Sequence, residues 1–336
     1  MTPAVLVDAD VLGRHRTGDE TYVLNLLRRL PELAGDEFRF VALTRHPDLV
    51  PAGVAAVELP ARFQELRMAW SVPRALRRLS PALAHFQHAL PLWWEGPSVV
   101  TVHDLSFERE ARAMGRLDRA IFKWVVPRAV RRARRVIAVS ERTKRDLIEL
   151  YGVAESKVAV TPHGVDPAFT PDGSSGGYLL FVGAIQERKN PLAAAEAAAE
   201  VGLPLVVAGP EREPALAREL ERRGADLRGY VEKDELARLY RGAAALVLPS
   251  RYEGFGLPVL EAMACGTPVV AANDPALREV AGEAALYAKP AELADAIRRA
   301  IAERDRLVSA GLARAAQFTW DETARRTLDV YRQALA

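Results

Sequence analysis

Cysteine is almost absent from this chain. Cys265 is the one thiol in 336 residues, so no internal disulfide can staple the fold. It lies in an apolar run and reads as a small core residue, and a lone thiol fits a cytoplasmic location. Long apolar runs are missing too. No segment approaches the roughly 20 residues that a spanning helix needs. The N-terminus, Met1-Thr2-Pro3-Ala4-Val5-Leu6-Val7-Asp8, lacks a cationic start and reads as a first strand rather than a signal peptide. Charge of one sign is not in excess: the formal balance of +2 indicates no whole-protein attraction to nucleic acid. There is no internal repeat and no low-complexity tract. No G-x-G-x-x-G opens a helix after the first strand, which argues against a nicotinamide-dependent oxidoreductase. What remains is 49% hydrophobic and 27% charged, an ordinary globular balance in a chain long enough for two domains.

Apolar strand-like runs alternate with helical patterns, which argues for βα units and parallel sheets. In the first half the expected strands are Ala4–Asp8, Phe38–Leu43, Ala55–Leu59, Leu83–Phe86, Ser98–Val102, Val136–Val139 and Val158–Thr161, with helices such as Thr21–Leu33 and Glu141–Tyr151. Pro162–Gly177 is rich in Pro, Gly, Ser and Asp and reads as a linker. A second series follows, with strands at 178–182, 204–208, 226–229, 244–248 and 268–271. Its helices are expected near 191–201, 214–223, 234–241, 257–265, 290–303 and 306–317. The expected division is therefore 1–165, 178–318 and a closing helix over 319–336.

Ser250-Arg251-Tyr252-Glu253-Gly254-Phe255-Gly256-Leu257-Pro258 runs into Val259-Leu260-Glu261-Ala262-Met263-Ala264-Cys265-Gly266-Thr267-Pro268. A glycine-rich turn stands at the mouth of a helix. Gly254 and Gly256 lack Cβ atoms, so a ligand can approach the backbone. Pro258 suits the first turn, and the free N–H groups and the positive end of the dipole favour an anion. Glu253 precedes that anion site and Glu261 lies about one turn inside the helix. With a rise of about 1.5 Å per residue, the two carboxylates are expected roughly 8–10 Å apart. Hydroxyls on both sides of a phosphate are the layout of a nucleoside diphosphate sugar.

The Glu-x7-Glu pair, set in Glu-Gly-Phe-Gly-Leu-Pro-x-Leu-Glu-Ala-Met-Ala-x-Gly-x-Pro-Val, resembles the signature of the retaining glycosyltransferases of family 4, which include bacterial mannosyl- and glucosyltransferases. The resemblance is strongest over residues 178–290 and looser before residue 97. It implies an α/β GT-B fold, two Rossmann-like doubly wound domains facing across a cleft, with the last helix crossing back to the first domain. Trp320 is a candidate to pin that crossing. The resemblance also implies transfer without a bound metal or other cofactor, and no Asp-x-Asp appears where a sugar-bound metal is expected.

Other residues join the same reading. In Val182-Gly183-Ala184-Ile185-Gln186-Glu187-Arg188-Lys189, Gly183 permits a tight turn after a strand, and Arg188 and Lys189 are expected at a helix start. A planar guanidinium and a compact ammonium suit a departing diphosphate. The pair resembles the family's diphosphate clamp. His103 ends the apolar run Val99–Val102 and resembles the strand-end histidine near the transferred sugar. Arg14-His15-Arg16-Thr17-Gly18-Asp19-Glu20 resembles the glycine loop that approaches donor phosphate and acceptor, with Gly18 retained. Asp19 and Glu20 depart from it, because many relatives have an apolar residue and a second glycine there. Tyr230 and Val231 lie in a loop whose backbone touches the base in relatives, and Arg251 is a candidate for phosphate contact or loop support. His163 and Asp166 are read as hinge or structural residues. His15, His46, His85 and His88 show no metal-ligand spacing.

The resemblance thus assigns Glu261 to the ribose, Arg188 and Lys189 to the diphosphate, and Glu253 with Gly254, Phe255, Gly256 and Leu257 to the sugar and phosphate end. The expected activity moves a hexose from a GDP- or UDP-sugar to a glycan, lipid-linked or small-molecule acceptor, with no nucleic-acid partner. A nucleotide-sugar 2-epimerase of the same fold and a non-catalytic nucleotide-sugar module are the alternatives. One segment stands apart. From Arg112 to Arg135 nine Arg and Lys residues face Asp118 alone, interrupted by Phe122, Trp124, Val125 and Val126. Either it is a solvated helix whose Arg stems cover apolar surface, the plainer reading, or it touches the inner face of an anionic membrane peripherally.

Overall fold

The computed structural model describes residues 2–14, 17–59, 67–91, 93–110, 114–172, 174 and 176–336. His15 and Arg16 of the first loop, Arg112 of the basic run, and Gly173 and Ser175 of the linker lie outside the described residues. Two compact units emerge: Met1–Leu105 with Arg116–Gly164 and Trp320–Ala336, and Ser106–Gly115 with Val165–Thr319.

The first unit holds β1 (Ala4–Asp8), β2 (Arg39–Thr44), β3 (Ala55–Glu58), β4 (Leu83–Gln87), β5 (Ser98–Val102), β6 (Arg135–Ala138) and β7 (Val158–Val160). They form one sheet in the order β3-β2-β1-β4-β5-β6-β7. The pairings are parallel, for example Val5↔Phe40 and Val5↔Leu83 on the two sides of β1. Strands covered on both faces need apolar residues at consecutive positions, not alternate ones. Val5, Leu6 and Val7, and Val99 and Val100, are fully buried accordingly.

The closing helix, Trp320–Leu335, packs inside this unit against the helix Thr17–Ala34. Its Thr323 hydroxyl donates to the Pro162 carbonyl (2.7 Å), and Arg332 meets Glu37 (2.6 Å). Tyr331 reaches the sheet, where its hydroxyl lies 2.7 Å from His85 Nδ1, and His85 Nε2 is 2.7 Å from Thr101 Oγ1. Burial pushes the His85 pKa down to about 3, so this imidazole is a neutral core group. Trp320 is buried beside Tyr22 and His163, at ring separations of 6.4 and 5.7 Å.

The second unit holds β8 (Tyr178–Val182), β9 (Leu205–Ala208), β10 (Asp226–Gly229), β11 (Ala243–Leu248), β12 (Val269–Ala271) and β13 (Leu286–Tyr287), in the parallel order β10-β9-β8-β11-β12-β13. Its core gathers Leu179, Phe181, Val207, Val247 and Val270 from the sheet with the alanine face of the helix Pro191–Val201. Small side chains let that helix approach the strands closely. Both units are Rossmann-like, and in each the strand order reverses beside the first strand: between β1 and β4, and between β8 and β11. Ligands of doubly wound sheets sit outside the carboxyl ends of the strands at such a switch point.

Three boundaries differ from the sequence reading. The first helix begins at Thr17, not Thr21, so Gly18 is in its first turn rather than in a preceding loop. Glu187–Lys189 is a separate short turn before the helix Pro191–Val201, so Arg188 and Lys189 precede the helix instead of opening it. The run expected as one helix over 290–303 is a short turn, Pro290–Glu292, followed by the helix Leu293–Ala302. Cys265 is buried, and burial pushes its thiol pKa up to about 12, as befits a core residue.

Candidate active site

In the second unit, β8 delivers the chain to Gly183, whose φ of 151° is costly for any residue with a Cβ. The short turn that follows projects Arg188 and Lys189 toward the loop after β11. Arg188 Nη1 donates to the Tyr252 carbonyl (2.6 Å), and the Arg251 amide donates back to the Arg188 carbonyl (2.9 Å). The two loops are thereby stitched together by backbone as well as side chain. Lys189 Nζ lies 2.6 Å from Glu253 Oε1 and 2.7 Å from Oε2. Glu253 is buried, which by itself would raise its pKa. Lys189 and Arg188 outweigh that burial and hold the carboxyl below its ordinary value. Arg251 pairs with Glu187 at 3.3 Å, supporting the loop.

The loop then enters the helix Leu257–Ala264 through Gly256. Its φ is 115°, and a Cβ there would come within 2.7 Å of Leu277 Cδ2. Glycine is thus demanded by backbone conformation and packing, in addition to any ligand. Pro258 occupies the first turn of the helix. Glu261 follows on the same helix, half-buried. The fully buried Tyr240 donates its hydroxyl to Glu261 Oε2 at 2.8 Å. Burial raises the Glu261 pKa to about 7, nearby Asp166 adds to the rise, and Tyr240 and Lys233 oppose it. Asp166, read from sequence as a hinge or structural residue, makes an ion pair with Lys233 and accepts from the Ala168 amide at 3.0 Å. Phe255 is buried against Phe318, 6.1 Å between rings, while Tyr230 stays exposed after β10. Val231 follows it, half-buried.

In the first unit, His103 leaves the end of β5 and His88 the end of β4, which pair in parallel through Gln87↔Thr101. His103 is buried, with Nε2 3.0 Å from Gln87 Oε1 and Nδ1 3.8 Å from Asp19 Oδ1. Burial drives its pKa down to about 4 despite the opposing pull of Asp19, so the ring is neutral near pH 7. With Nε2 donating to Gln87, Nδ1 is left as an acceptor. Gly18 sits in the first helical turn, and a Cβ on it would meet nothing within 4 Å. The fold does not require glycine there. Glu20 accepts from the Gly13 amide at 2.7 Å.

The sequence reading missed two assemblies. One is a buried ion cluster at the end of β1: Arg67, 2% exposed, donates to Asp8 at 2.7 and 3.0 Å and lies 3.2 Å from Asp10, which also accepts from Arg45 at 2.9 Å. The other is the grouping of His88 with Asp19 and His103, whose ligand-type atoms all lie within 4.8 Å of one another. No sequence spacing signals either one, because both depend on tertiary packing: Arg67 comes from the helical turn Arg67–Ser71 and Asp19 from the helix Thr17–Ala34.

Family models match both halves: residues 16–169 match Glycosyltransferase Family 4, and residues 176–303 match the glycosyl transferases of group 1. A D-inositol 3-phosphate glycosyltransferase of Xylanimonas cellulosilytica is 32% identical over 280 residues, covering 72% of this chain and 67% of that protein. The chain belongs to glycosyltransferase family 4. The O-antigen chain mannosyltransferase B of Escherichia coli is 31% identical over 60% of this chain and 61% of its own length. The chain spans about three-fifths of the length of the first curated relatives it matches, 61% of that one and 63% of an inositol 3-phosphate glycosyltransferase from Acidothermus cellulolyticus. Among solved structures, Anabaena HepE in complex with UDP-glucose superposes with a TM-score of 0.75 at 16% identity, over 98% of this chain and 99% of that one. That likeness is one of fold, and the fold of the family 4 chain is GT-B.

Proposed function

We propose that this family 4 chain is a retaining hexosyltransferase that uses a nucleoside diphosphate sugar and needs no metal or other cofactor for transfer. The observation that carries the proposal is the pair of half-buried Lys189 with buried Glu253 beside Arg188, ahead of the helix Leu257–Ala264. On this reading arginine, lysine and a helix N-terminus serve one anion position, with a carboxylate beside it for sugar hydroxyls. Glu261 is the ribose ligand on this reading, one oxygen held by Tyr240 and the other left for a hydroxyl. Tyr230 and Val231 border the base.

In the path that family membership suggests, the acceptor oxygen bonds to the anomeric carbon as the bond from that carbon to the diphosphate oxygen breaks. The acceptor proton passes to the departing phosphate on the same face of the sugar. The side chains position the reactants and stabilise the charge that develops on the leaving group. His103, neutral, offers Nδ1 as an acceptor for a sugar hydroxyl, and Gly18 leaves backbone open to phosphate.

The donor class draws support from the HepE structure, a complex with UDP-glucose. The proposed donor sugar is a mannose- or glucose-type hexose and the acceptor a glycan, lipid-linked or small molecule. The O-antigen mannosyltransferase supports mannose and a glycan, and the D-inositol 3-phosphate glycosyltransferase a small molecule. The proposed location is cytoplasmic, with contact to an anionic bilayer face. Among the described residues no helix is long and apolar enough to cross a membrane. The helix Arg116–Arg132 does turn Leu117, Ile121 and Trp124 outward at helical spacing, with 74%, 41% and 46% exposure. Arg116, Lys123 and Arg128 flank that stripe, the combination that anionic headgroups attract. Co-sedimentation with phosphatidylglycerol vesicles, lost at high salt and in Leu117→Ser/Trp124→Ser, checks this contact.

The test of the main proposal is incubation with UDP- and GDP-sugars with and without an acceptor pool. NMR of the product's anomeric proton follows, with chelator present. The expected product keeps the donor's configuration. An inverted product, conversion without an acceptor to an epimeric nucleotide sugar, or activity lost to chelator and restored by a divalent ion would each overturn the reading.

A further inference from the structure

The ends of β4 and β5 and the first turn of the helix Thr17–Ala34 bring together three side chains that no sequence spacing connects. We infer that Asp19, His88 and His103 form a binding site for a divalent transition metal of the Zn2+ type, and that an ion seated there inhibits sugar transfer.

The donor atoms of the three residues lie within 4.8 Å of one another, and His103 Nδ1 is 3.8 Å from Asp19 Oδ1. His103 Nδ1 and His88 Nδ1 are both buried, and neither has a hydrogen-bond partner among the described residues. An unsatisfied buried nitrogen is costly, and two such imidazoles grouped with a carboxylate call for a common partner. A proton shared by one pair leaves the third group unserved, whereas a cation serves all three. His103 also carries the outer support typical of a metal-bound imidazole. Its Nε2 donates to the Gln87 side-chain carbonyl at 3.0 Å, which fixes the tautomer and aims the Nδ1 lone pair inward. His88 is held by its own amide, 2.9 Å from the Thr101 carbonyl, with a φ of 59° that few residues with a Cβ adopt.

The ligand chemistry selects the metal class. Two imidazoles and one carboxylate suit Zn2+, Co2+ or Ni2+, whereas Mg2+ and Ca2+ prefer oxygen alone. Bonds of about 2.0–2.2 Å require the donor atoms to close up by roughly 1 Å. Asp19, at 34% side-chain exposure, is free to swing toward the buried pair. Three protein ligands leave a coordination position for water or a substrate hydroxyl.

The inhibitory half of the inference rests on the reading that His103 serves the transferred sugar, because a metal on Nδ1 removes the acceptor that a sugar hydroxyl would use. Transfer without metal and inhibition by metal are then two faces of one arrangement. The binding half stands independently of any activity.

Two measurements test it. The full chain, stripped with chelator and dialysed, is titrated with Co2+ while its visible d–d absorbance is followed, and with Zn2+ by calorimetry. The expected result is one ion per chain with micromolar or tighter affinity. Asp19→Asn and His88→Asn each weaken it by about tenfold or more, the scale on which even supporting groups of a metal site matter. Asparagine at 88 tolerates the left-handed backbone. His46→Gln binds as the wild type does. Thermal melting with and without Zn2+ shows that each variant folds, and the metal raises the melting temperature of the wild type but not of Asp19→Asn. No stoichiometric binding, or equal binding in both variants and the wild type, overturns the site. Zn2+ is then added to the transfer assay, each protein being compared with its own metal-free rate. Inhibition of the wild type and not of His88→Asn is expected. Stoichiometric binding without inhibition overturns the inhibitory half and, with it, the role of His103, while leaving the site itself in place.

Discussion

The strand ends that carry the proposed site residues follow different electrostatic plans in the two units. In the second unit the groups at the switch point are charged and paired, although Arg188 Nε has no hydrogen-bond partner among the described residues. Lys189 neutralises Glu253 at 2.6 Å, and Arg188 is tied to a backbone carbonyl. In the first unit the end of β5 carries the neutral, under-satisfied His103, while the end of β1 carries the charged Asp8–Arg67–Asp10 cluster. Burial has stripped the proton from His103, and its Nδ1 meets only a carboxylate 3.8 Å away. A site for an anion does best when its cations are preorganised, and a carboxylate partner keeps them ordered until the ligand arrives. A site for a neutral polyol can leave acceptors waiting. On the proposed reading, a diphosphate that draws Lys189 away also releases Glu253 to accept from hydroxyls, so that one ligand event would turn an internal ion pair into two ligand contacts.

The largest expected effect comes from breaking that pair. Lys189→Ala and Arg188→Ala are each expected to lower transfer by on the order of 10²-fold or more, the usual loss for one preorganised charge-stabilising group. Steady-state rates within about threefold of wild type in both variants would remove the anion plan from the second unit. Lys189→Ala additionally leaves Glu253 buried and unpaired, so its stability should fall as pH rises above the carboxylate range. Glu253→Gln on the same background should restore stability without restoring transfer. Thermal melts from pH 5 to 8 distinguish the two.

A smaller effect separates the two carboxylates. Glu261→Ala is expected to weaken binding of free nucleoside diphosphate by about tenfold, the loss of one or two hydrogen bonds to a charged group. Glu253→Ala should leave that binding nearly unchanged and depress turnover. The pH dependence follows from sign. Glu261 titrates near 7 in the folded protein, above the ordinary carboxyl value of 4.5. The folded state therefore holds a proton more tightly than the unfolded chain. This group's contribution to stability is full below about pH 4.5 and is lost as pH rises through 7. On the proposed role of Glu261, nucleotide binding should run the other way, because ribose hydroxyls would donate to the ionised form. Affinity should rise from pH 6 to 8 in the wild type and stay flatter in Glu261→Gln. That difference removes the titration of the phosphate itself. Calorimetry showing the defect in Glu253→Ala instead would exchange the two assignments.

How much of this was legible in the sequence follows from how local each feature is. Ala4–Asp8 and Tyr178–Val182 were readable because a strand covered on both faces must be a continuous apolar run. The mouth of the helix Leu257–Ala264 was readable because glycine and proline carry their backbone demands with them. The two-residue strand Leu286–Tyr287 was not, since its one signal is its pairing with β12. The start of the first helix was placed late because Gly18 looked like loop, whereas Asp19 and Glu20 favour a first turn by complementing the helix dipole. Arg67 with Asp8, and His88 with His103, were invisible for one shared reason. Each pair is assembled by tertiary packing across 59 and 15 residues, the helical turn Arg67–Ser71 against the end of β1 and the end of β4 beside that of β5, and such meetings leave no trace in spacing.

The smallest effect lies at Tyr240, where the second unit borrows the first unit's manner. Tyr240 is fully buried and donates its one proton to Glu261 Oε2 at 2.8 Å, while its backbone carbonyl accepts from the Thr267 hydroxyl at 2.6 Å. It touches no proposed ligand atom and acts through Glu261 as a positioning residue. Tyr240→Phe keeps the ring and the packing and removes one hydrogen bond to a carboxyl group. That bond lowers the Glu261 pKa against the larger effect of burial, so its loss should push the pKa further up from about 7. Nucleotide affinity at pH 7 should then fall by about three- to tenfold, within the range for a hydrogen bond to a charged group. Raising the pH to 8.5 should recover most of it, because the same carboxylate is merely ionised later. A loss that persists undiminished at pH 8.5 would mean that Tyr240 orients the carboxylate rather than tuning its charge. An unchanged affinity at pH 7 would mean that Glu261 meets the ribose without help.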